Sequence, residues 1–213
     1  MNTKRKTIAI LMNAIAMPIA FAADVNPKPA QPSQSAGDRL VRPHSPVFGP
    51  KNAPVTIVEF FDPACEACRQ FYPLVKELMR KYPSEVRLVL RYAAFHKGSD
   101  QIVKFLEASK LQGKYWEVLE AVLTAQPQWA SHSNPNIDLA YQAAAKTGLD
   151  VAKALADAKS AEASAVLAQD FQDLNALEIA STPSFFVNGR PPFRLSANGL
   201  AALVADEVAK SKK

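Results

Sequence analysis

Cysteine is almost missing from this sequence: its 213 residues hold two, Cys65 and Cys68. That excludes the multiply bridged scaffold by which small exported domains hold themselves together. One bridge across so short a loop would add little stability, because the entropic gain grows with the length of chain enclosed. Charge excess is missing too. Lys4, Arg5 and Lys6, at the extreme N-terminus, belong to the 25 basic residues, which leaves 22 against 20 acidic ones in the rest of the chain. A balance this even gives no electrostatic footprint for nucleic acid, and none is expected as a partner. Internal repeats are absent, and no stretch beyond the N-terminus is apolar enough to span a bilayer.

What the N-terminus does have is MNTKRKTIAILMNAIAMPIAFAA, a basic start, an apolar run and the small-residue triplet Ala20-Phe21-Ala22. These are the three parts of a secretory signal peptide, residues 1–22, cut near Ala22 and directing the chain to the periplasm. Asn13 and Pro18 interrupt the run, which argues against a retained spanning helix. From Asp24 to Gly37 the sequence DVNPKPAQPSQSAG offers almost nothing to bury, so residues 23–39 read as a disordered leader. The ~190 residues after the signal peptide, drawn from a chain that is 48% hydrophobic, are enough to bury a core without stapling.

Order is expected from Leu40 onward, first as extended, proline-punctuated chain. VTIVEFF (residues 55–61) is nearly all apolar, as a strand covered on both faces would be. Phe71, Val75, Leu78 and Tyr82 then recur at helical spacing, with Arg69, Lys76, Glu77, Arg80 and Lys81 opposite. VRLVLRY (residues 86–92) alternates as a second strand, and the β-α-β order predicts two parallel strands with a right-handed crossover. Residues 98–180 read as helix, with breaks at Gly113, Gln126-Pro127, Asn134-Pro135 and Gly148 and with Ile102, Phe105, Leu106, Leu167, Phe171 and Leu174 as core. Ser184–Val187, the turn Asn188-Gly189 and residues 191–195 predict a β-hairpin, its second strand at an edge because of Pro191 and Pro192. A last helix carries Leu200, Leu203, Val204 and Val208.

The chemistry gathers in FFDPACEACRQFYP, residues 60–73. Asp62-Pro63-Ala64 separates strand from helix, which puts Cys65 at a helix N-terminus, where unpaired N–H groups and the macrodipole favour a thiolate. Cys68 lies one turn further on, within disulfide reach and more buried. Cys65 is then the attacking thiolate and Cys68 the resolving thiol. Glu66 puts an opposing charge beside Cys65, although an acid in a first helical turn also simply suits the helix. Zinc would need further ligands, and His44, His96 and His132 are not spaced as a pair and read as surface or loop positions, so no metal ligand set is assigned. Cu(I), content with two thiolates, remains the rival chemistry. A helical interaction domain with incidental cysteines is a third reading.

VEFFDPACEAC together with STPSF (residues 181–185), the helical block between them and the terminal hairpin and helix resembles the DsbA-like thiol:disulfide oxidoreductases of the thioredoxin-fold superfamily, over residues 40–210. The resemblance implies an α/β thioredoxin fold from residues 40–97 and 181–210, with a helical domain, 98–180, inserted between the β-α-β and hairpin halves. It implies Cys65 as exposed nucleophile, Cys68 as buried partner and Glu59 as a buried acid that relays protons, a role the apolar neighbours Val58 and Phe60 favour. Pro183 becomes a cis-proline preceded by Thr182, in a loop that receives an extended substrate, and Pro73 a helix-kinking proline. Glu66 and Ala67, between the cysteines and expected with Thr182 to meet the substrate, match neither the Pro-His of strong oxidases nor the Gly-Pro of thioredoxins. A protein that forms or exchanges disulfides is therefore implied, oxidase first and reductase or isomerase the alternative direction. No cofactor is implied. The partners implied are unfolded or partly folded exported proteins and a membrane redox protein, either a quinone-linked oxidase or a transmembrane reductase; the short leader points to a monomer.

Overall fold

The computed structural model describes residues 36–212. The expected signal peptide and all but the end of the expected leader lie outside the described residues. That end differs from expectation: Ala36–Leu40 forms a short helix, α1. Leu40 explains it, being 5% exposed and packed in a cluster with Val58, Phe60, Val89, Ala93 and Leu174.

The proline-punctuated stretch that follows holds a short strand not foreseen, β1 (Val47–Phe48). Next come β2 (Val55–Phe61), α2 (Glu66–Lys81) and β3 (Val86–Tyr92), the predicted β-α-β unit with β2 and β3 parallel. β1 runs antiparallel to β3 on its outer side, opposite Leu88 and Val89. Gly49 ends it with φ +102°, where an added Cβ would lie 3.0 Å from the Val86 carbonyl, so only glycine fits this crossing.

The sheet order is β1-β3-β2-β4, with β4 (Ser184–Val187) antiparallel to β2. Both faces are covered, which is why β2 and β3 are almost continuously apolar. On one face Val55, Ile57, Phe61, Val86, Leu88, Leu90 and Tyr92 join the main core with α2 and with α8 (Ala197–Ser211). On the other, Val58, Phe60 and Val89 meet Leu174. Strand alternation puts Glu59 on the α2 face and Arg91 on the opposite one.

The helical block comprises α3 (Ser99–Lys110), α4 (Tyr115–Trp129), α5 (Ile137–Ala145), α6 (Val151–Asp157) and α7 (Ala161–Ala176). Gly113, Asn134-Pro135 and Gly148 fall between helices as expected, but Gln126-Pro127 does not break α4. So near a helix end a proline removes a single backbone bond, and the Trp129 indole N–H, donating to the Val122 carbonyl at 2.9 Å, holds the last turn. Nor is Phe171 core: it is 57% exposed, and α7 turns Asp170, Asp173 and Leu174 inward instead.

Those two aspartates meet Arg91. Its guanidinium, fully buried, lies 2.7 Å from Asp170 Oδ1 and 2.7 Å from Asp173 Oδ2. Arg42 adds a 2.6 Å pair to Asp173, and His44 a 2.6 Å contact to Asp170. The expected hairpin is incomplete. Asn188 and Gly189 make the turn with positive φ, but past one bridge, Val187 to Arg190, no second strand forms. Pro191 and Pro192 have no N–H to offer a ladder.

Candidate active site

The chain passes from β2 to α2 through Asp62-Pro63-Ala64-Cys65, and a buried carboxylate shapes this turn. Asp62 Oδ1 accepts from the Ala64 N–H at 2.8 Å and from the Ser99 hydroxyl. Oδ2 accepts from the N–H groups of Phe95 and His96 at 2.8 and 3.0 Å and pairs with His96 Nδ1 at 2.7 Å. Sequence reasoning took Asp62 as a boundary marker only. Its signal was an Asx turn, the aspartate side chain bonding to backbone two residues on.

Gln126, also missed because it was read as a helix break, comes from α4. Its side-chain amide N–H₂ donates at 2.9 Å to the carbonyls of both Pro63 and Cys65, while its oxygen accepts from Arg69 Nε at 2.9 Å. The helical block therefore holds the loop that carries the first cysteine.

Cys65 occupies the N-cap of α2 in extended conformation. Its sulfur is less open than expected: the residue is only 6% exposed, with Sγ 3.4 Å from the Thr182 carbonyl, to which the thiol donates. Both cysteines are free thiols. The hydrogen bond from Cys68 is the main force on Cys65, and with help from the Thr182 side chain and the N–H groups of Cys68 and Ala67 it outweighs burial and pulls the thiol down to about 5. Cys68 is fully buried, its sulfur receiving the Asp62 N–H at 3.5 Å. Burial, the bond to Cys65 and the charge of Glu59 all push its thiol far up.

Glu59 is 1% exposed, and its Oε1 has no hydrogen-bond partner among the described residues. Burial, then the nearby Cys65 charge, pushes its carboxyl up to about 8. An acid protonated at neutral pH thus sits on the face of β2 that looks toward α2. The Thr182-Pro183 bond is cis, with Pro183 buried and Thr182 half-buried. Glu66 is exposed and Ala67 half-buried. None of the three histidines stands alone on the surface: each faces a carboxylate, His44 on Asp170, His96 on Asp62 and His132 on Glu66 at 3.0 Å. Cys65 and Thr182, 117 residues apart in sequence, are thereby brought together at the sulfur pair.

Among the described residues no group of three or more His, Cys, Asp and Glu is placed to hold a metal ion, and no helix is long and apolar enough to cross a membrane.

The family pattern described as thioredoxin matches residues 42–204. The chain is 34% identical over 166 residues to the Na(+)/H(+) antiporter NhaA 3 of Salinispora tropica, the match taking in 75% of this chain and 24% of that protein. The chain thus spans about a quarter of the length of the curated relatives it matches. A thioredoxin-like oxidoreductase from Silicibacter pomeroyi DSS-3 is 30% identical, with a TM-score of 0.68 over 82% of this chain and 96% of that one. The α-DsbA1 protein of Wolbachia pipientis, 16% identical, shares the fold with a TM-score of 0.70 over 84% of this chain and 98% of its own.

Proposed function

We propose that this chain, which belongs to the thioredoxin family, is a DsbA-like thiol:disulfide oxidoreductase that forms disulfides in exported, partly folded proteins of the periplasm through Cys65 and Cys68. The observation that carries this reading is the asymmetry of the pair: one sulfur held as a thiolate at neutral pH, its neighbour held as a buried thiol. Stabilising the Cys65 thiolate favours the reduced centre, and each pKa unit makes the couple about 30 mV more oxidising.

In the oxidising step a client thiolate attacks Cys65 Sγ of the Cys65–Cys68 disulfide. The bond between the cysteines breaks, and Cys68 leaves as a thiolate that takes a proton from neutral Glu59. A second client thiolate attacks the client's own sulfur in the mixed disulfide, and Cys65 departs as its stable thiolate. The client has lost two electrons and the pair has gained them. A membrane redox protein bearing a disulfide or a quinone removes them and restores the centre. The Thr182-Pro183 loop, whose carbonyl stands over Cys65, receives the client as an extended strand. Export by a signal peptide cut near Ala22 supplies the compartment in which such chemistry persists.

The test is covalent capture. Cys68→Ser accumulates mixed disulfides with reduced, unfolded proteins, released by reductant, and Cys65→Ser forms none. Failure of Cys68→Ser to trap any reduced client would overturn the reading, and equilibrium with glutathione at a thioredoxin-like potential would reverse the proposed direction of electron flow.

A further inference from the structure

Side chains from three separate segments meet the turn that carries Cys65, and two of them are histidines that the cysteine motif itself does not contain. His96, in the loop after β3, binds Asp62 through Nδ1, and its Nε2 has no hydrogen-bond partner among the described residues. His132, between α4 and α5, lies with its ring 5.5 Å from that of His96, and its Nε2 reaches Glu66 Oε1 at 3.0 Å. The two imidazoles therefore stand on the carboxylates that flank Cys65 in sequence, Asp62 before it and Glu66 after it. A carboxylate this near opposes a thiolate, and a cation favours it.

We propose that His96 and His132 form a clamp, contributed from outside the Cys-Glu-Ala-Cys motif, that engages Asp62 and Glu66 and thereby sets how much of Cys65 is thiolate. The inference rests on the redox role of Cys65 proposed above and names what tunes it. His96 carries the larger share. Its side chain is 28% exposed, against 68% for His132, and solvent screens an exposed pair more. Burial draws the His96 imidazole down, but the bond and charge of Asp62, followed by the charges of Cys65 and Glu66, bring it above its ordinary value. The remaining ionisable groups facing Cys65 are Cys68, which donates to it, and Glu59, which is neutral until about pH 8. The Thr182-Pro183 loop adds only uncharged groups. His96 is thus a positioning and tuning residue for the thiolate, not a nucleophile.

The experiment follows the ultraviolet absorbance of the Cys65 thiolate against pH and the equilibrium with glutathione, in the full mature chain. His96→Gln keeps a hydrogen-bonding side chain beside Asp62 but loses the charge. It should raise the Cys65 midpoint by about one pH unit, a tenfold loss of thiolate that makes the couple about 30 mV more reducing. His132→Gln, at an exposed position that does not threaten the fold, should raise it by less, about threefold, and adding Glu66→Gln should cancel that shift. An unchanged midpoint and potential in His96→Gln, or in His132→Gln, would overturn the clamp. Wild-type protein that never equilibrates with glutathione would instead overturn the proposed function, so the two failures are distinguishable.

Discussion

The side-chain amide of Gln126 donates to the carbonyl of Cys65 at 2.9 Å, so a residue of the helical block fixes the backbone of the first cysteine. The same nitrogen holds the Pro63 carbonyl, and both contacts are buried. Gln126→Leu fills similar space but leaves the buried Pro63 carbonyl and Arg69 Nε without this partner, while the Cys65 carbonyl keeps only the Arg69 N–H. An unsatisfied buried polar group costs about 1–3 kcal/mol, so the variant should unfold at lower urea with an unchanged slope. Faster amide exchange at Cys65 should accompany it. A wild-type midpoint would mean that the loop holds itself.

Much of this site was legible in the sequence because its chemistry is local. Cys65, Cys68 and Glu59 announce themselves by type and by neighbours, Pro183 only through the resemblance of STPSF to a family loop, and VTIVEFF reads as a strand buried on both faces because it is apolar but for Thr56 and Glu59. Gln126, His96 and, beyond its local Asx turn, Asp62 could not be read that way. Each is a polar residue whose worth lies in a partner far along the chain, and sequence periodicity carries no record of such pairings. Arg91 shows the same limit: in VRLVLRY it looks like the polar half of an alternating strand, yet α7 covers that face and supplies Asp170 and Asp173 to meet it. Phe171 was taken for core for the complementary reason, since those two aspartates occupy the inward face of α7. The hairpin failed at Pro191 and Pro192, which do announce themselves and argue for less strand than the Asn-Gly turn invites.

Arg91 is also a test of the covered face. With its guanidinium fully buried between Asp170 and Asp173, Arg91→Met would remove the cation that the two carboxylates share and leave Asp173 to Arg42 and Asp170 to His44 and the Tyr92 N–H. Removing one partner of a buried ion pair costs roughly 3–5 kcal/mol. Chemical denaturation should show a loss of that order with the cysteine chemistry intact in the folded fraction. A loss under about 1 kcal/mol, the worth of a surface pair, would show that water reaches this face.

Glu59 should make stability depend on pH. An unfolded chain releases this proton near 4.5, whereas the folded one keeps it to about 8. Between those values the folded state binds more protons, so the contribution of Glu59 becomes steadily more destabilising as pH rises. Glu59→Gln removes the titration. Its stability relative to wild type should be lowest at about pH 4.5 and greatest at about pH 8, as read from urea curves. The variant should also slow resolution of the mixed disulfide, on the order of 10²-fold, by losing the proton transfer to and from Cys68. A flat stability difference across the range would place the Glu59 carboxyl in contact with water.

The reduction potential should report the asymmetry of the two thiols directly. Below about pH 5 reduction of the disulfide takes up two protons with its two electrons, one on each sulfur. Above that value Cys65 remains a thiolate while Cys68 still takes its proton. One proton per two electrons lowers the potential by about 30 mV per pH unit, and two protons by about 60 mV. A plot of potential against pH should therefore bend near pH 5 and follow the shallower line to neutrality. The bend belongs to Cys65, so it should persist in Glu59→Gln and move to higher pH in His96→Gln. A steep line maintained to pH 8 would mean that Cys65 is an ordinary thiol, and the nucleophile assigned to this site would lose its physical basis.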